Sequence, residues 1–137
     1  MQIQPYVFFN GRCEEALKYY GEKLGAEVLM MMRYKEAPAE AQAQMRPEMA
    51  DKIMHASVKV GDTVWMASDG HCDPAATFSG FSLSLTADDA ASGQRYFDAL
   101  ADGGSVTMPW QATFWSQGFG MLVDRFGLAW MVTLAES

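Results

Sequence analysis

The sequence contains little cysteine, few basic residues and no long apolar run. Its 137 residues include two cysteines and ten lysines and arginines, against 17 acidic residues, which gives a formal net charge of −7. Cys13 and Cys72 lie in unrelated contexts, so a disulfide framework is not expected and a reduced, cytoplasmic setting fits better. The negative charge argues against nucleic acid as a partner, because surfaces that bind its backbone need clustered Lys and Arg.

The marks of a membrane or exported protein are also missing. No apolar run approaches the roughly 18 residues that span a bilayer, so no membrane partner is expected. The opening residues MQIQPYVFF have no basic segment followed by an apolar one, so no signal peptide is predicted. Half of the residues are apolar and 12% are aromatic. This composition and length predict one compact unit with a substantial core.

Residues 1–69 have the hydrophobic pattern of one helix and four strands. The helix is predicted from side chains that recur at helical spacing, namely Cys13, Ala16, Leu17, Tyr20 and Leu24. Gly25 is placed to end this helix, and Gly61-Asp62 predicts a two-residue hairpin turn. The strands are predicted at Ile3–Phe9, Glu27–Tyr34, Ile53–Val60 and Thr63–Ser68. For residues 36–50 the sequence predicts a loop or an irregular helical excursion.

The same order of elements begins again after a linker at residues 70–80. A strand is predicted at Phe81–Leu85, followed by a helix through Leu100 that starts at a capping box of Thr86 and Asp89. A short strand at Ser105–Met108, an aromatic loop at Trp110–Gln117 and a closing hairpin with its turn at Asp124–Gly127 complete this half.

The two halves also share a short sequence, because the second strand of each hairpin contains the same pair of residues. Trp65-Met66 returns as Trp130-Met131 after 65 positions. A repeated unit of this size is usually a half that cannot cover its own sheet. The expected fold is therefore α+β, with two tandem βαβββ modules forming a curved mixed sheet around a cleft. The predicted modules are residues 1–69 and 81–137.

A family resemblance is carried by three segments, PYVFFNGRCEEALKYYGEKLGAEV (5–28), KIMHASVKVGDTVWMASD (52–69) and DALADGGSVTMPWQATFWSQGFGMLVDRFGLAWMV (98–132). They resemble the vicinal oxygen chelate superfamily, which includes glyoxalase I, bleomycin-resistance proteins and extradiol dioxygenases. The closer resemblance is to its PhnB-like branch, which carries the label of a demethylubiquinone methyltransferase-like domain. No strand-GxGxxG-helix element is present, which argues against a methyltransferase that uses S-adenosylmethionine. The resemblance also implies a homodimer.

Metal-dependent members of this superfamily take four ligands, one from the first and one from the last strand of each module. The resemblance places Pro5, Met66, Phe81 and Met131 at these positions. A shift by one residue would place Gln4, Trp65, Ser82 and Trp130 there instead. Neither set suits a divalent cation, which prefers imidazole, carboxylate or thiolate. We therefore expect no metal and no cofactor.

Two other groups of residues have the types that chemistry requires. His55 and Asp69 begin and end one hairpin and could act as general base and orienter, although a hydrogen bond at a cleft edge or a dimer surface is the simpler interpretation of His55. His71-Cys72-Asp73 has the residue types of metal ligands but lacks their usual spacing, so loop composition is favoured.

Aromatic and methionine side chains complete the candidate site. Trp110, Phe114 and Trp115 could clamp a flat ligand, or they could plug the cleft or form a subunit interface. The Met30-Met31-Met32 run favours core or interface. The predicted ligand-binding set is His55, Met66, Phe81, Trp110, Phe114, Trp115 and Met131.

The predicted function is the binding of a small organic molecule in an apolar, metal-free cleft of a cytoplasmic homodimer. One alternative is a metal-dependent lyase, isomerase or dioxygenase that uses His55, Asp69 and a residue of the partner chain. The other is a sequestering protein similar to the bleomycin-resistance proteins.

Overall fold

The computed structural model describes residues 1–43, 45–73 and 75–135, apart from the side chain of Ala41. These residues form two compact units, of which the first is Met1–Ala76 and the second begins at Thr77. Each unit combines a four-stranded sheet with one helix of 12 residues. The predicted α+β class with two repeated βαβββ modules is confirmed.

The first unit has its strands in the order β1-β4-β3-β2. Their bounds are β1 Tyr6–Phe8, β2 Glu27–Arg33, β3 Ile53–Val60 and β4 Thr63–Ser68, and helix α1 is Cys13–Leu24. Strand β1 runs parallel to β4, and the other neighbours are antiparallel. Strand β1 is shorter than the predicted 3–9, and it begins directly after Pro5, which has no N–H to donate to a ladder.

Helix α1 begins and ends where its sequence predicts. Its buried side is formed by Cys13, Ala16, Leu17, Tyr19 and Tyr20. Gly25 follows the helix with a φ of 71° and donates its N–H to the carbonyl of Gly21 at 3.2 Å. That left-handed conformation is readily available to glycine.

The connection between β2 and β3 is an irregular helical excursion, as predicted. It contains a 3₁₀ turn at Tyr34–Glu36, the short helix α2 at Ala39–Gln42 and a second 3₁₀ turn at Pro47–Met49. Pro47 occupies the first position of its turn, where a missing N–H costs nothing. Ala37 and Met49 are buried and attach the excursion to the first unit.

The second unit repeats the topology of the first, with its strands in the order β5-β8-β7-β6. Their bounds are β5 Leu83–Ala87, β6 Ser105–Gln111, β7 Phe119–Val123 and β8 Ala129–Leu134, and helix α3 is Ala90–Ala101. Strand β5 runs parallel to β8, as β1 does to β4.

Three predictions for the second unit are corrected by the structure. Strand β5 begins at Leu83 and not at Phe81. Helix α3 is capped by Asp89 itself, whose carboxylate accepts the N–H of Ser92 at 2.7 Å, so Thr86 is not the cap. Strand β6 continues through Pro109, which is tolerated because β6 is an edge strand.

No helix in the described part of the chain combines the length and the hydrophobicity that crossing a membrane requires.

Candidate functional site

Each sheet has one face against its helix and a second face, which we call the outer face. In the first unit the ring of Trp65 lies 6.0 Å from that of Tyr20 on helix α1. In the second unit Trp130 is 4% exposed and its indole N–H donates to Asp124 at 2.9 Å. Because neighbouring side chains of a strand point to opposite faces, Met66 and Met131 lie on the two outer faces.

The outer face of the first sheet is apolar and partly exposed. Strand pairing places on it Tyr6, Phe8, Met30, Met32, His55, Ser57 and Met66. Met66 pairs with Tyr6 on one side and with Ser57 on the other. Tyr6, Phe8 and Met30 are 38%, 49% and 41% exposed. Contiguous exposed apolar surfaces are common at places where proteins bind ligands or other proteins.

A hydrogen-bonded pair of polar side chains lies within this surface. The hydroxyl of Tyr6 is 3.0 Å from Nδ1 of His55, and their rings are 5.6 Å apart. The ring of Phe8 lies 5.0 Å from that of Tyr6 on the other side. Tyr6 is separated from His55 by 49 positions in the sequence, so no local sequence pattern predicts this contact.

The predicted pairing of His55 with Asp69 does not form. Asp69 is 1% exposed, and its carboxylate accepts three backbone N–H groups, those of Gly11, Cys13 and Ile53, each at 2.8 Å. These bonds join the start of helix α1 to the start of β3. The role that the geometry gives Asp69 is therefore structural, and the partner of His55 is Tyr6.

Strand register gives the two methionines other neighbours than the residues that the resemblance groups with them. Met66 pairs with Tyr6, and Met131 pairs with Ser84. The outer-face neighbours of the two methionines are thus Tyr6 and Ser84, in place of Pro5 and Phe81. Phe81 lies before β5, is 49% exposed and packs edge-on against Phe78 at 6.2 Å.

The outer face of the second sheet is also rich in methionine. Strand pairing places Met108 beside Met121, and Met121 beside Met131. Phe119 lies in the same strand, 8% exposed, with the ring of Trp115 at 5.3 Å. Phe114 stacks edge-on against Trp115 at 4.7 Å and is itself 97% exposed.

Trp110 lies apart from these two aromatic residues. Its ring is 6.0 Å from that of Phe97 on helix α3. A Cβ added to Gly93 or Gly118 would lie 2.6 Å or 2.3 Å from the Trp110 ring. Trp110 therefore fills the space between helix α3 and the sheet, which is a packing role.

The first unit also contains an open pocket of about 610 Å³ between the 34–50 excursion and the segment after β4. Its lining includes Tyr34, Met45, Arg46, Met49, Met54 and Cys72. The hydroxyl of Tyr34 donates to the carbonyl of Gly70 at 2.6 Å, and Arg46 donates to that of His71 at 2.7 Å.

His71-Cys72-Asp73 forms part of the wall of this pocket. Burial and, after it, the charge of Asp69 raise the pKa of the Cys72 thiol, so the thiol stays protonated at neutral pH. Within residues 1–43, 45–73 and 75–135, no three side chains of His, Cys, Asp or Glu converge as metal ligands would.

Comparison with known proteins gives a consistent result. Residues 1–133 match the family model described as 3-demethylubiquinone-9 3-methyltransferase. The chain is 38% identical to protein YjdN of Escherichia coli (strain K12), over 99% of this chain and 97% of that protein. It is 43% identical to protein PA1353 of Pseudomonas aeruginosa, whose crystal structure superposes with a TM-score of 0.86 and covers 100% of this chain and 99% of that one.

A third relative carries the PhnB name. The structure of a Bacillus cereus protein titled putative 3-demethylubiquinone-9 3-methyltransferase, PhnB protein, shows 26% identity and a TM-score of 0.82, over 98% of this chain and 100% of that one. Glyoxalase-related structures at 15% and 14% identity share the fold, with TM-scores of 0.62 and 0.64. The chain thus belongs to the 3-demethylubiquinone-9 3-methyltransferase-like family, the PhnB-like branch of the glyoxalase/bleomycin-resistance/dioxygenase fold.

Proposed function

We propose that this PhnB-like protein binds a small organic molecule on the outer face of its first sheet, without a metal. The observation that carries the proposal is the exposure of apolar side chains around Met66, with the Tyr6–His55 pair among them. Covering apolar surface contributes about 25 cal/mol per Å². Thioether side chains adapt to ligands of irregular shape, so a face lined by methionine suits an apolar molecule.

Met66, Met131 and their strand partners on the outer faces do not suit a divalent metal. Tyr6 and Met66 in the first unit, and Ser84 and Met131 in the second, offer hydroxyl and thioether groups but neither imidazole nor carboxylate. A metal-dependent lyase, isomerase or dioxygenase would have to use His55 with Asp69. The three backbone N–H groups that Asp69 accepts occupy its carboxylate, so the metal-free proposal has the better support.

A homodimer remains part of the proposal. Strand β2 is an edge strand of seven residues, and Val28, Leu29, Met30 and Met31 on it are 41%, 50%, 41% and 37% exposed. Long apolar edge strands pair readily with another chain, and a second copy is the proposed occupant. Sedimentation at micromolar concentration should give about twice the single-chain mass of 15.1 kDa. A mass equal to one chain would contradict the dimer.

The binding proposal is tested with 8-anilinonaphthalene-1-sulfonate, a fluorescent probe whose aromatic rings bind exposed apolar surface and whose sulfonate stays in water. Met66→Ser removes a thioether from the outer face and should weaken binding about fivefold, since the lost apolar contact is worth roughly 1 kcal/mol. Met45→Ser is the matched control, because Met45 lines the separate pocket. Weakening by Met45→Ser with no effect of Met66→Ser would move the site to that pocket and contradict the proposal.

The metal-free part of the proposal has its own measurement. Protein dialysed against a chelator should bind the probe as tightly as untreated protein does. Elemental analysis should find no stoichiometric Zn, Ni, Mn or Fe after dialysis against buffer alone. One equivalent of any of these metals, with loss of probe binding on chelation, would favour the metal-dependent alternative.

A further inference from the structure

We propose that the outer face of the first sheet also binds a soft monovalent metal ion, Cu(I), through Nε2 of His55 and the thioethers of Met30 and Met32. The inference goes beyond the proposed function, because it concerns a different ligand and does not depend on the organic molecule. None of these residues occupies the four positions at which the resemblance places metal ligands, and the ion is not a divalent one.

Strand register brings the three donor side chains together. Met32 is the partner of His55 across the β2–β3 ladder, and Met30 lies two positions earlier on the same face of β2. Side chains directly opposite have Cβ atoms about 4.5–5.5 Å apart, and diagonal neighbours lie about 7–8 Å apart, which long side chains can span. Because methionine is unbranched and flexible, both sulfur atoms can turn toward one ion beside the His55 ring.

The contact with Tyr6 directs the imidazole toward these methionines. The Tyr6 hydroxyl is 3.0 Å from Nδ1 of His55, which leaves Nε2 as the ring nitrogen that can bind an ion. The two nitrogens of an imidazole point in diverging directions, so Nε2 points away from Tyr6. In the strand order β1-β4-β3-β2, Tyr6 comes from one side of β3 and the two methionines lie on the other. Nε2 is therefore on the side of the ring nearer to Met30 and Met32.

The same contact supports the tautomer that a metal ion requires. When Nδ1 carries the ring proton and donates it to the phenolic oxygen of Tyr6, Nε2 presents its lone pair. Histidines that bind metals almost always donate their other ring N–H in this way, which fixes the ring and raises its basicity. Tyr6 is thus a positioning residue and contributes no atom to the coordination of the ion.

The chemistry of the donors selects the ion. Thioether sulfur is a soft ligand that favours Cu(I), and imidazole also binds copper. The formal net charge of the chain is −7, which favours the approach of a cation. Met30 is 41% exposed, so an ion can reach its sulfur from solvent.

The pocket of the first unit also contains soft donors, but its charge is unfavourable. Met45, Met49 and Cys72 line it together with Arg46. The guanidinium of Arg46 donates to Sδ of Met49 at 3.2 Å. This positive charge repels a metal ion, and its hydrogen bond occupies one of the sulfur atoms. The outer face is therefore the better site for a soft cation.

The experiment uses the full chain with Cys72→Ser, which removes the partly exposed thiol, whereas Cys13 is 0% exposed. Ag(I), a redox-inert analogue of Cu(I), is added in chloride-free buffer at a pH above the ordinary range of imidazole titration. It should shift the ¹³C signals of the Met30 and Met32 methyl groups and the ¹⁵N signal of Nε2 of His55. Competition with a chromophoric chelator in the presence of ascorbate then measures the affinity for Cu(I).

Substitutions in the same background test each donor. His55→Gln should weaken Cu(I) binding by about 100-fold, the upper end of the effect of losing a partner of a metal ligand. Met32→Leu should weaken it by about tenfold, and it conserves the volume of the side chain, so the fold should be kept. Tyr6→Phe should also cost about tenfold, while Ag(I) still shifts the Nε2 signal of His55.

Met121→Leu is the matched control and should keep the affinity for Cu(I). Met121 lies between Met108 and Met131 on the outer face of the second sheet, and the second unit contains no histidine. Equal weakening by Met121→Leu and Met32→Leu would overturn the inference, because the ion would then bind the second sheet. Silver shifts confined to other methionines, an affinity that His55→Gln leaves unchanged, or no binding at all would overturn it as well.

Discussion

In the first unit, the N-terminus of helix α1 is held by Asp69, whose partner Cys13 is 56 positions away in the sequence. In the second unit, the N-terminus of helix α3 is held by Asp89, which precedes its partner Ser92 by three positions. The first backbone N–H groups of any helix need acceptors. The residue at the N-cap position of α1 is Arg12, and an arginine side chain has no acceptor. The acceptor for the N–H of Cys13 is therefore the carboxylate of Asp69, the residue that follows strand β4.

The second unit has a buried aspartate of its own, but its partners are local. Asp124 accepts the N–H groups of Phe126 and Leu128 and the indole N–H of Trp130, all within six positions. Asp69 joins segments that are distant in the sequence, whereas Asp124 organises a single hairpin turn. The two units have the same topology and each contains a buried aspartate. In the first unit the aspartate stabilises tertiary structure, and in the second it stabilises a local turn.

The largest predicted effect comes from removing the long-range carboxylate. Asp69→Ala should lower the free energy of unfolding by about 4 kcal/mol, because it leaves buried N–H groups of Cys13 and Ile53 unpaired. Asp124→Ala also leaves buried donors unpaired, among them the indole N–H of Trp130. It should nevertheless cost less, about 2 kcal/mol, since all of these donors lie in one hairpin that can relax locally. Urea unfolding followed by circular dichroism measures both.

Asp69→Asn is the conservative control for Asp69→Ala, because it removes only part of the hydrogen bonding. One oxygen of Asp69 accepts from both Gly11 and Cys13, and the other accepts from Ile53. The asparagine oxygen can keep the first two bonds, so its loss of stability should fall between zero and that of the alanine variant. An Asp124→Ala variant less stable than Asp69→Ala would show that the comparison of the two units is mistaken.

A second, smaller difference is expected at the glycines inside the two helices. A Cβ at Gly93 of α3 would lie 2.6 Å from the ring of Trp110, whereas a Cβ at Gly21 of α1 would lie 3.4 Å from the carbonyl oxygen of Ala26. Gly93→Ala should therefore destabilise the protein by about 1–3 kcal/mol through overpacking. Gly21→Ala should be neutral or stabilising by up to about 1 kcal/mol, through better helix propensity.

Thermal unfolding of the two alanine variants tests this contrast. Trp110→Phe combined with Gly93→Ala should recover part of the lost stability, since the smaller ring leaves room for the methyl group. If Gly93→Ala is tolerated as well as Gly21→Ala, then Trp110 is not packed against helix α3 and its predicted role in ligand binding gains support.

The smallest effect should come from the local cap. The hydrogen bond from the N–H of Ser92 lowers the pKa of Asp89 below its usual 3.8. A lowered pKa means that the charged carboxylate contributes its full stabilisation above the usual value of 3.8, and that this contribution is lost as the pH falls from there through the lowered pKa of the folded state. Asp89→Ala should lower the melting temperature less than Asp124→Ala does at pH 7, and the difference from the unaltered protein should shrink as the pH falls below the usual carboxyl pKa of 3.8. A difference that persists at low pH would argue against the charged cap.

Local patterns in the sequence predicted the elements well where side chains alternate or recur regularly. The repeated Trp-Met pair marks both outer faces, because alternation in a strand forces neighbours onto opposite sides. Helix α1 was predicted to its last residue, since its apolar spacing and Gly25 are both local signals. The prediction that the strand ends before Pro109 is wrong, because β6 lies at the edge of its sheet and an edge strand tolerates proline. The residues of β6 alone do not indicate this edge position.

The candidate site depended on contacts that are distant in the sequence. His55 and Met66 were singled out from sequence, and both lie on the outer face of the first sheet. The residue that was missed is Tyr6, which reads as an ordinary apolar strand position. Its register against Met66 is set by the pairing of β1 with β4, which brings its hydroxyl to His55.

The sequence by itself determined the repeated α+β architecture, the helix and hairpin positions and the apolar character of the outer faces. These properties follow from periodicity and turn chemistry, which act over a few residues. Only the tertiary structure decided that Asp69 caps helix α1, that Tyr6 and not Asp69 is the partner of His55, and that Trp110 packs under helix α3. Each of these contacts depends on strand order and register, which arise when segments far apart in the chain bury their apolar sides together.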